Sequence, residues 1–202
     1  MGITLVSQSV SVDGYSAGPD VSLDHPMGVG GERLHRWLFA GDNDVDAEQA
    51  RQMVSRVGAA IVGRRMFDVG VGLWQDTPYP VPTFVLTHEP REPLAMKSAA
   101  FTFVNDGVES AHKRAVAAAG GKDVVVMGGA DIIGQFLRAG LVDEVHLQLM
   151  PVLLGAGTRL FADLSLELVR QASTESPHAT HLRFGVARPP GYSDAENVAV
   201  GV

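Results

Sequence analysis

The sequence predicts an α/β fold in which a mostly parallel central sheet is flanked by helices and ends in antiparallel strands toward the C-terminus. From Ala59 onward, short apolar runs alternate with stretches that repeat apolar residues at helical spacing. The runs contain few polar residues, which is typical of parallel strands that helices cover on both faces. The final third instead alternates apolar with polar residues, as half-buried antiparallel strands do.

The N-terminal part predicts one strand followed by a long loop. The segment from Ile3 to Val12 is rich in β-branched residues, and Asp13-Gly14 ends the run, so we expect a strand there. The glycine-rich segments Gly18-Pro19-Asp20 and Gly28-Val29-Gly30-Gly31 bracket the loop. Because loops of this length are usually functional or disordered, we expect the segment from Asp13 to Gly31 to be a mobile lid.

The remaining elements follow from the spacing of apolar residues along the chain. The predicted helices are Leu34 to Leu38, Ala50 to Gly58, a short helix from Arg64, Val108 to Ala118, and Ile132 to Leu137 with Gly140 as its cap. The predicted strands are Ala59 to Val62, Thr83 to Leu86, Phe101 to Val104, Asp123 to Met127, Val145 to Leu149 and Leu182 to Val186. We therefore expect one domain over residues 1–188 and a loose tail over residues 189–202.

Composition excludes several classes of protein. The 202-residue chain has no cysteine, which removes thiol nucleophiles, Cys-ligated zinc and iron–sulfur clusters and fits a reducing, cytoplasmic compartment. Its 16 Lys and Arg against 23 Asp and Glu give a net charge of −7, the wrong sign for non-specific binding of nucleic acid or anionic lipid. The N-terminal residues have neither a signal-peptide nor a membrane-span pattern. Because no H-E-x-x-H occurs either, we expect no metal site.

A glycine pair between a buried strand and a helix is the best-placed motif. Gly128 and Gly129 end the apolar run Val124-Val125-Val126-Met127, and Ala130-Asp131-Ile132 begins a helix at once. Backbone N–H groups at the positive end of a helix dipole suit a pyrophosphate. Paired glycines also make tight turns without any ligand, so this alternative stays open. Neither G-x-G-x-x-G nor G-x-x-x-x-G-K-[ST] occurs.

A second strand-to-helix turn carries two arginines. In this turn Gly63 ends a strand, and Arg64 and Arg65 begin a helix. The forked, permanently charged donors of arginine suit the 2′-phosphate of NADP, whereas unbalanced cations at a helix start oppose the helix dipole. Because neighbouring parallel strands end at the same sheet edge, Thr87 and His88, which follow the next strand, are predicted to line the same pocket. The alternative is a solvated helix start.

The segment Gly14-Tyr15-Ser16-Ala17-Gly18 matches the G-x-S-x-G elbow of serine hydrolases. That elbow needs a helix directly after the serine, and Gly18-Pro19-Asp20 predicts a loop instead. A hydrolase that uses Ser16 therefore stands as the third functional hypothesis.

In their order and spacing, these motifs resemble the dihydrofolate reductase fold. Within that fold, they resemble the bacterial family related to the C-terminal reductase domain of the bifunctional riboflavin-biosynthesis deaminase-reductase. The resemblance covers roughly Ile3 to Arg188. It rests on Ser11-Val12-Asp13-Gly14, Val62-Gly63-Arg64-Arg65-Met66-Phe67, Met127-Gly128-Gly129-Ala130, and Leu141-Val142-Asp143-Glu144 leading into Pro151-Val152-Leu153-Leu154-Gly155.

The resemblance implies an NADPH-dependent reductase of a pterin-, pyrimidine- or ribosylamino-type compound, such as dihydrofolate or 5-amino-6-(5-phosphoribosylamino)uracil. The glycine pair would hold the pyrophosphate, and Arg64, Arg65 and Thr87 would surround the 2′-phosphate. Asp13 is the carboxylate predicted to lie nearest the nicotinamide, with a plain Asp-Gly turn as its alternative. A nucleotide-binding protein without turnover is the second functional hypothesis.

Two departures from the resembling families narrow the substrate. A dihydrofolate reductase carries a carboxylate on its first long helix, and the segment from Arg33 to Ala40 has none. A chain without cysteine also cannot hold the zinc deaminase of the bifunctional enzyme. We further expect a homodimer through the C-terminal antiparallel part, where Leu147 and Leu149 alternate with polar residues and the apolar run from Pro151 to Gly155 is predicted near a sheet edge.

Overall fold

The structure is a computed structural model that describes residues 2–187, so the predicted tail over residues 189–202 lies outside the described residues. The strands are β1 (Thr4–Ser11), β2 (Tyr15–Ala17), β3 (Val57–Gly63), β4 (Thr83–Leu86), β5 (Leu94–Ala95), β6 (Ala100–Val104), β7 (Asp123–Gly128), β8 (Glu144–Met150), β9 (Thr158–Arg159), β10 (Leu168–Glu175) and β11 (Thr180–Val186). The helices are α1 (Arg36–Phe39), α2 (Asp44–Arg56), α3 (Arg64–Trp74), α4 (Val108–Ala118) and α5 (Ala130–Arg138), and a 3-10 turn over Gly31–His35 precedes α1.

One large sheet organises the described residues, with the strand order β10-β11-β8-β1-β7-β3-β4-β6-β5. Neighbouring strands from β8 through β6 are parallel. Antiparallel pairing appears only toward the two ends of this sheet, where β10 and β11 follow β8 and where β5 pairs with β6. The predicted α/β class, with a mostly parallel sheet and antiparallel C-terminal strands, is confirmed.

The direction of β8 differs from the prediction. The alternation around Val145 predicted an antiparallel strand, but β8 runs parallel to β1, with Val6 opposite Val145, and antiparallel to β11. Alternating polarity indicates that only one face of a strand packs against the apolar core. Such a strand can be parallel or antiparallel to its neighbours. In β8 the polar face borders an open cleft.

Two helix boundaries also differ from the sequence pattern, and four strands, β2, β5, β9 and β10, were not predicted. The helix expected to reach Gly58 ends at Arg56, because Val57 is buried and pairs with Asp123 as the first residue of β3. The helix expected at Leu34 is a 3-10 turn followed by the four-residue α1. Strand β10 was not predicted because most of its residues are exposed, which leaves little apolar pattern.

Helices cover both faces of the sheet, and the two faces differ in polarity. Helices α4 and α5 pack against an apolar face that includes Val6, Val10 and Ile61. Because side chains alternate along a strand, Ser7 and Ser9 of β1 face the opposite side, where α2 and α3 lie. That side is apolar under the helices and polar between them. Across residues 2–187, no helix is both long and apolar enough to span a membrane.

Candidate functional site

A cleft of about 1390 Å³ lies on the α2 and α3 side of the sheet and reaches the carboxyl ends of the parallel strands. This volume exceeds the roughly 300–1,000 Å³ of common single-ligand pockets, so the cleft has room for two small molecules. Among the predicted dinucleotide-binding residues, only Gly128 is absent from its wall. The others line it: Gly63, Arg64, Arg65, Thr87, His88, Gly129, Ala130, Asp131 and Ile132.

The glycine turns leave open space in front of α5. A Cβ atom added at Gly129 would meet no atom within 4 Å, and Gly129 directly precedes the first residue of α5. The peptide bond between Gly128 and Gly129 is cis. At the neighbouring turn, a Cβ atom at Gly63 would lie 2.7 Å from Cγ1 of Ile132, so glycine allows the end of β3 to approach α5 closely. The free N–H groups of the first α5 turn therefore border a space that fits an anion.

The Arg64 guanidinium is already balanced by carboxylates. Its Nε donates to Asp68 at 2.9 and 2.8 Å, and its Nη1 donates to Glu89 at 3.0 Å and to the Thr87 hydroxyl at 3.5 Å. The hydrogen bonds to Asp68 first, and then to Glu89, raise the pKa of Arg64 above its usual value. These partners offset the unfavourable position of a cation at a helix start. Since the Glu89 side chain is 76% exposed, an incoming phosphate can replace it at modest cost.

Arg65 stands apart from that group. Its Nη2 donates to the carbonyl oxygen of Val21 at 3.2 Å, which joins α3 to the long loop. The loop also closes on itself through the bonds from Gly18 N to Met27 O at 2.9 Å and from Val29 N to Pro19 O at 2.8 Å. The predicted lid is thus a folded loop that borders the cleft, and Arg65 holds it against α3.

Asp13, the predicted catalytic carboxylate, is not brought to the cleft. Its carboxylate accepts hydrogen bonds from the backbone N–H groups of Leu154, at 3.1 and 3.2 Å, and of Gly155, at 2.7 Å. A hydrogen bond with the Ser11 side chain, followed by the bonds from Gly155 and Leu154, lowers the pKa of Asp13 to about 2. These contacts favour the turn role that the sequence left as an alternative.

The structure does not form a nucleophile elbow at Ser16. This residue lies in β2, which pairs with β9, and its hydroxyl donates to the carbonyl oxygen of Thr158 at 3.3 Å. The chain continues from β2 into a loop rather than a helix. The strand–helix geometry that the hydrolase hypothesis requires is therefore missing.

The floor of the cleft is a ladder of hydrogen-bonded polar side chains that was not predicted from the sequence. The Trp37 indole N–H donates to the Ser9 hydroxyl at 2.9 Å, and that hydroxyl donates to Gln148 Oε1 at 3.5 Å. The Gln148 amide in turn donates to the Ser7 hydroxyl at 3.5 Å. Polar residues at every second position of β1 and β8 were the available signal, but only strand pairing shows that they share a face.

His146 extends this floor. It lies opposite Ser7 in the pairing of β1 with β8, and its Nε2 is 2.8 Å from Glu144 Oε2. Burial lowers the pKa of His146, the hydrogen bond and charge of Glu144 oppose that shift, and the charges of Arg56 and Arg183 lower the pKa further. His146, Arg56 and Arg183 all line the cleft.

A second histidine–carboxylate pair fixes the cleft wall. His181 Nε2 on β11 lies 2.7 Å from Asp46 Oδ1 on α2, and both residues are buried. The His181 ring also meets the edge of Trp37, with ring centroids 5.1 Å apart. This cluster holds α1 and α2 against the antiparallel strands. In the described part of the chain, no group of three or more His, Asp or Glu side chains is arranged to hold a metal ion.

Comparisons with known proteins agree with this architecture. Residues 4–179 match the family model described as the RibD C-terminal domain. The uncharacterised protein YwjB of Bacillus subtilis (strain 168) is 29% identical over 167 residues, which cover 81% of this chain and 85% of that protein.

Solved structures share the fold. A protein from Shewanella sp. PV-4 that is assigned to riboflavin biosynthesis superposes with a TM-score of 0.71 and 25% identity, over 92% of this chain and 99% of that one. Dihydrofolate reductase from Enterococcus faecalis, complexed with NADP(H), gives a TM-score of 0.59 at 14% identity, over 93% of this chain and 98% of that one. The family match and these neighbours confirm the resemblance that the motifs predicted.

Proposed function

This chain belongs to the RibD C-terminal domain family, and on that premise we propose that it is an NADPH-dependent reductase of a small pyrimidine- or ribosylamino-type compound. The observation that carries the proposal is the division of one cleft into two parts. One part is an anion-binding edge made of strand-to-helix turns, and the other is a neutral polar floor. A dinucleotide and a second polar ligand need that combination.

The cofactor fits the edge by charge and by space. The open position at Gly129 and the N–H groups that begin α5 would receive the pyrophosphate. Arg64 and Thr87, which lie within hydrogen-bonding reach of each other, would receive the 2′-phosphate that distinguishes NADPH from NADH.

Reduction of a C=N bond adds a hydride to carbon and a proton to nitrogen. When bound, NADPH supplies the hydride. The chain's own residues orient the second ligand on the floor of Ser7, Ser9 and Gln148, while Trp37 and Met127 in the cleft wall limit the access of water. The four-residue α1 carries no carboxylate, and on the first long helix, α2, the buried Asp46 is paired with His181.

The test begins with binding and ends with turnover. Calorimetry should show tighter binding of NADPH than of NADH, and 5-amino-6-(5-phosphoribosylamino)uracil should promote NADPH oxidation. Absence of NADPH binding would contradict the proposal. Tight binding without oxidation of NADPH by this compound or by dihydrofolate would favour the nucleotide-binding alternative.

We also propose a cytoplasmic homodimer that pairs through the C-terminal antiparallel strands. Strand β10 is the outer strand of the described sheet, and Val169 on it is 56% exposed, which favours pairing with a second chain. The apolar run from Pro151 contributes less than expected, because Val152 and Leu154 pack beside Leu34 within their own chain. Light scattering at micromolar concentration should give the mass of two chains, and the mass of one chain would exclude the dimer.

A further inference from the structure

His146 occupies the boundary between a carboxylate and the cleft. It lines the cleft, whereas Glu144, two residues earlier on the same strand, does not. The side chains of His146 and Glu144 are 12% and 18% exposed, so neither is freely solvated. His146 is therefore the member of the pair that a ligand on the floor can contact.

The carboxylate determines which ring nitrogen carries the proton. An ionised carboxylate only accepts hydrogen bonds, so the contact at 2.8 Å requires a proton on Nε2 of His146. In a neutral ring, the other nitrogen, Nδ1, is then a pure acceptor. Within residues 2–187, the ring makes its hydrogen bond through Nε2 alone, and Nδ1 is not among the fully buried atoms that lack a partner, so it is accessible to a ligand.

The surroundings of the ring disfavour a second proton. Arg56 reaches it from α2 and Arg183 from β11, and both act on the ring electrostatically in the same direction as burial. Arg56 is paired with Asp123, and Arg183 makes no ion pair within the described chain. From β1 the facing residue is Ser7, which carries no charge. Among the described residues, Glu144 is thus the one anion whose charge acts on the ring, and the lowered pKa of His146 favours the neutral ring at pH 7.

We propose that Nδ1 of His146 accepts a hydrogen bond from an N–H or O–H group of the reducible ligand. The inference rests on the proposed function and sharpens it: the substrate presents a donor at this point, and Glu144 is the positioning residue that holds the acceptor in place. The serine hydroxyls on the floor can rotate, so each can either donate or accept a hydrogen bond. Nδ1 of the neutral His146 ring can only accept one, so it selects against ligands that place a carbonyl or another acceptor at this point.

The first experiment needs no substrate. Nitrogen-15 NMR of the histidine rings in the full chain, saturated with NADPH, reports the tautomer and the titration of His146 directly. We expect the Nε2–H tautomer at pH 7 and protonation below pH 6.5. A dominant Nδ1–H tautomer, or a doubly protonated ring at pH 7, would overturn the proposal whether or not the protein proves to be a reductase.

The second experiment compares two variants of similar shape, with 5,6-diaminouracil as the probe. Asparagine places its Oδ1 close to where Nδ1 stood, whereas leucine offers no acceptor. His146→Leu should weaken binding of the probe by about tenfold or more, while His146→Asn should retain most of it. His178→Gln, outside the cleft, is the control for loss of a histidine, and thermal melting verifies that each variant folds.

Binding of the probe tests the acceptor role of His146, and binding of NADPH tests the proposed function. NADPH affinity should be unchanged in both His146 variants. Wild-type binding of the probe should fall as the pH drops and Nδ1 becomes a donor, and this fall should disappear in His146→Asn. Equal loss in the leucine and asparagine variants, or no loss in either, would overturn the acceptor role. Failure of NADPH to bind would instead count against the proposed function, since calorimetry measures binding of the probe without turnover.

Discussion

The two halves of the cleft are built in different ways. The cofactor edge uses short, contiguous motifs, in which a strand ends in glycine and the next residues begin a helix, as at Gly63-Arg64 and Gly128-Gly129. The floor uses side chains that are far apart in sequence, since Ser9 and Gln148 are separated by 139 positions. In the proposed function, the edge would bind the cofactor with backbone groups and a prepaired arginine, whereas the floor would bind the second ligand with neutral hydrogen-bonding groups. Substitutions on the floor alone would then change the second ligand and leave the cofactor unchanged.

The largest effect is expected at the edge, from Gly129→Val. The φ of Gly129 is −69°, a value that any residue adopts, and an added Cβ meets no atom, so the variant should fold. The branched side chain would fill the space assigned to the pyrophosphate, and NADPH affinity should fall by about 100-fold or more. Fluorescence titration with NADPH measures the affinity, and far-UV circular dichroism measures folding.

Gly63→Ala is the matched contrast for that prediction. Its Cβ would lie 2.7 Å from Ile132 Cγ1, so this variant should lose stability as well as affinity. Tight NADPH binding by a folded Gly129→Val protein would remove the assignment of the pyrophosphate to this edge.

The next effect concerns the wall that joins the two halves. Asp46→Ala would leave His181 buried without its carboxylate partner, and the free energy of unfolding should fall by about 1–3 kcal/mol. Urea denaturation measures this change. NADPH affinity of the folded fraction should stay near wild type, because neither residue lies at the edge. A loss of NADPH affinity without a loss of stability would show that the two halves are not separate.

A third prediction divides the roles of the two arginines. Arg64→Ala should reduce the preference for NADPH over NADH by about tenfold, because a charge-assisted hydrogen bond to phosphate contributes about 1.5–3 kcal/mol. Arg65→Ala should change this preference little, since Arg65 bonds to Val21 in the loop. Calorimetry with both dinucleotides distinguishes the variants.

Glu89→Gln tests the same phosphate site by a change that should raise NADPH affinity rather than lower it. It removes the carboxylate that competes for Arg64, so NADPH affinity should rise slightly. Equal behaviour of Arg64→Ala and Arg65→Ala would mean that the phosphate contacts both side chains.

The smallest effect on the cleft is expected from Asp13→Asn. Because the pKa of Asp13 is lowered to about 2, its ionised form stabilises the fold above the ordinary carboxyl pKa of 3.8, and this contribution is lost as the pH falls from there toward 2. The variant should melt at a lower temperature at pH 7, and the difference from wild type should shrink at acidic pH. Turnover at saturating NADPH should be unchanged; a specific loss of kcat with normal melting would restore the catalytic hypothesis.

The difference between the two halves also explains which residues could be placed at the cleft from the sequence. Arg64, Thr87 and Gly129 line the cleft as expected, because a strand end and a helix start are adjacent in sequence and parallel strands share one edge. Asp13 was placed near the cleft by the same logic, but its partners, Leu154 and Gly155, lie more than a hundred positions away. The position of Asp13 next to the first strand along the chain gave no sign of its hydrogen bonds to Leu154 and Gly155.

The sequence by itself determined the alternation of strands and helices, the parallel class of the sheet and the glycine turns between strand and helix at Gly63 and Gly129. Those features depend on hydrophobic periodicity and on glycine positions, which are local properties. Tertiary structure alone decided the direction of β8, the hydrogen-bonded ladder from Trp37 to Ser7 and the position of His146 in the cleft wall. Side chains at alternating positions acquire a role only when strand order and register choose their neighbours, and that choice depends on the packing of the whole sheet.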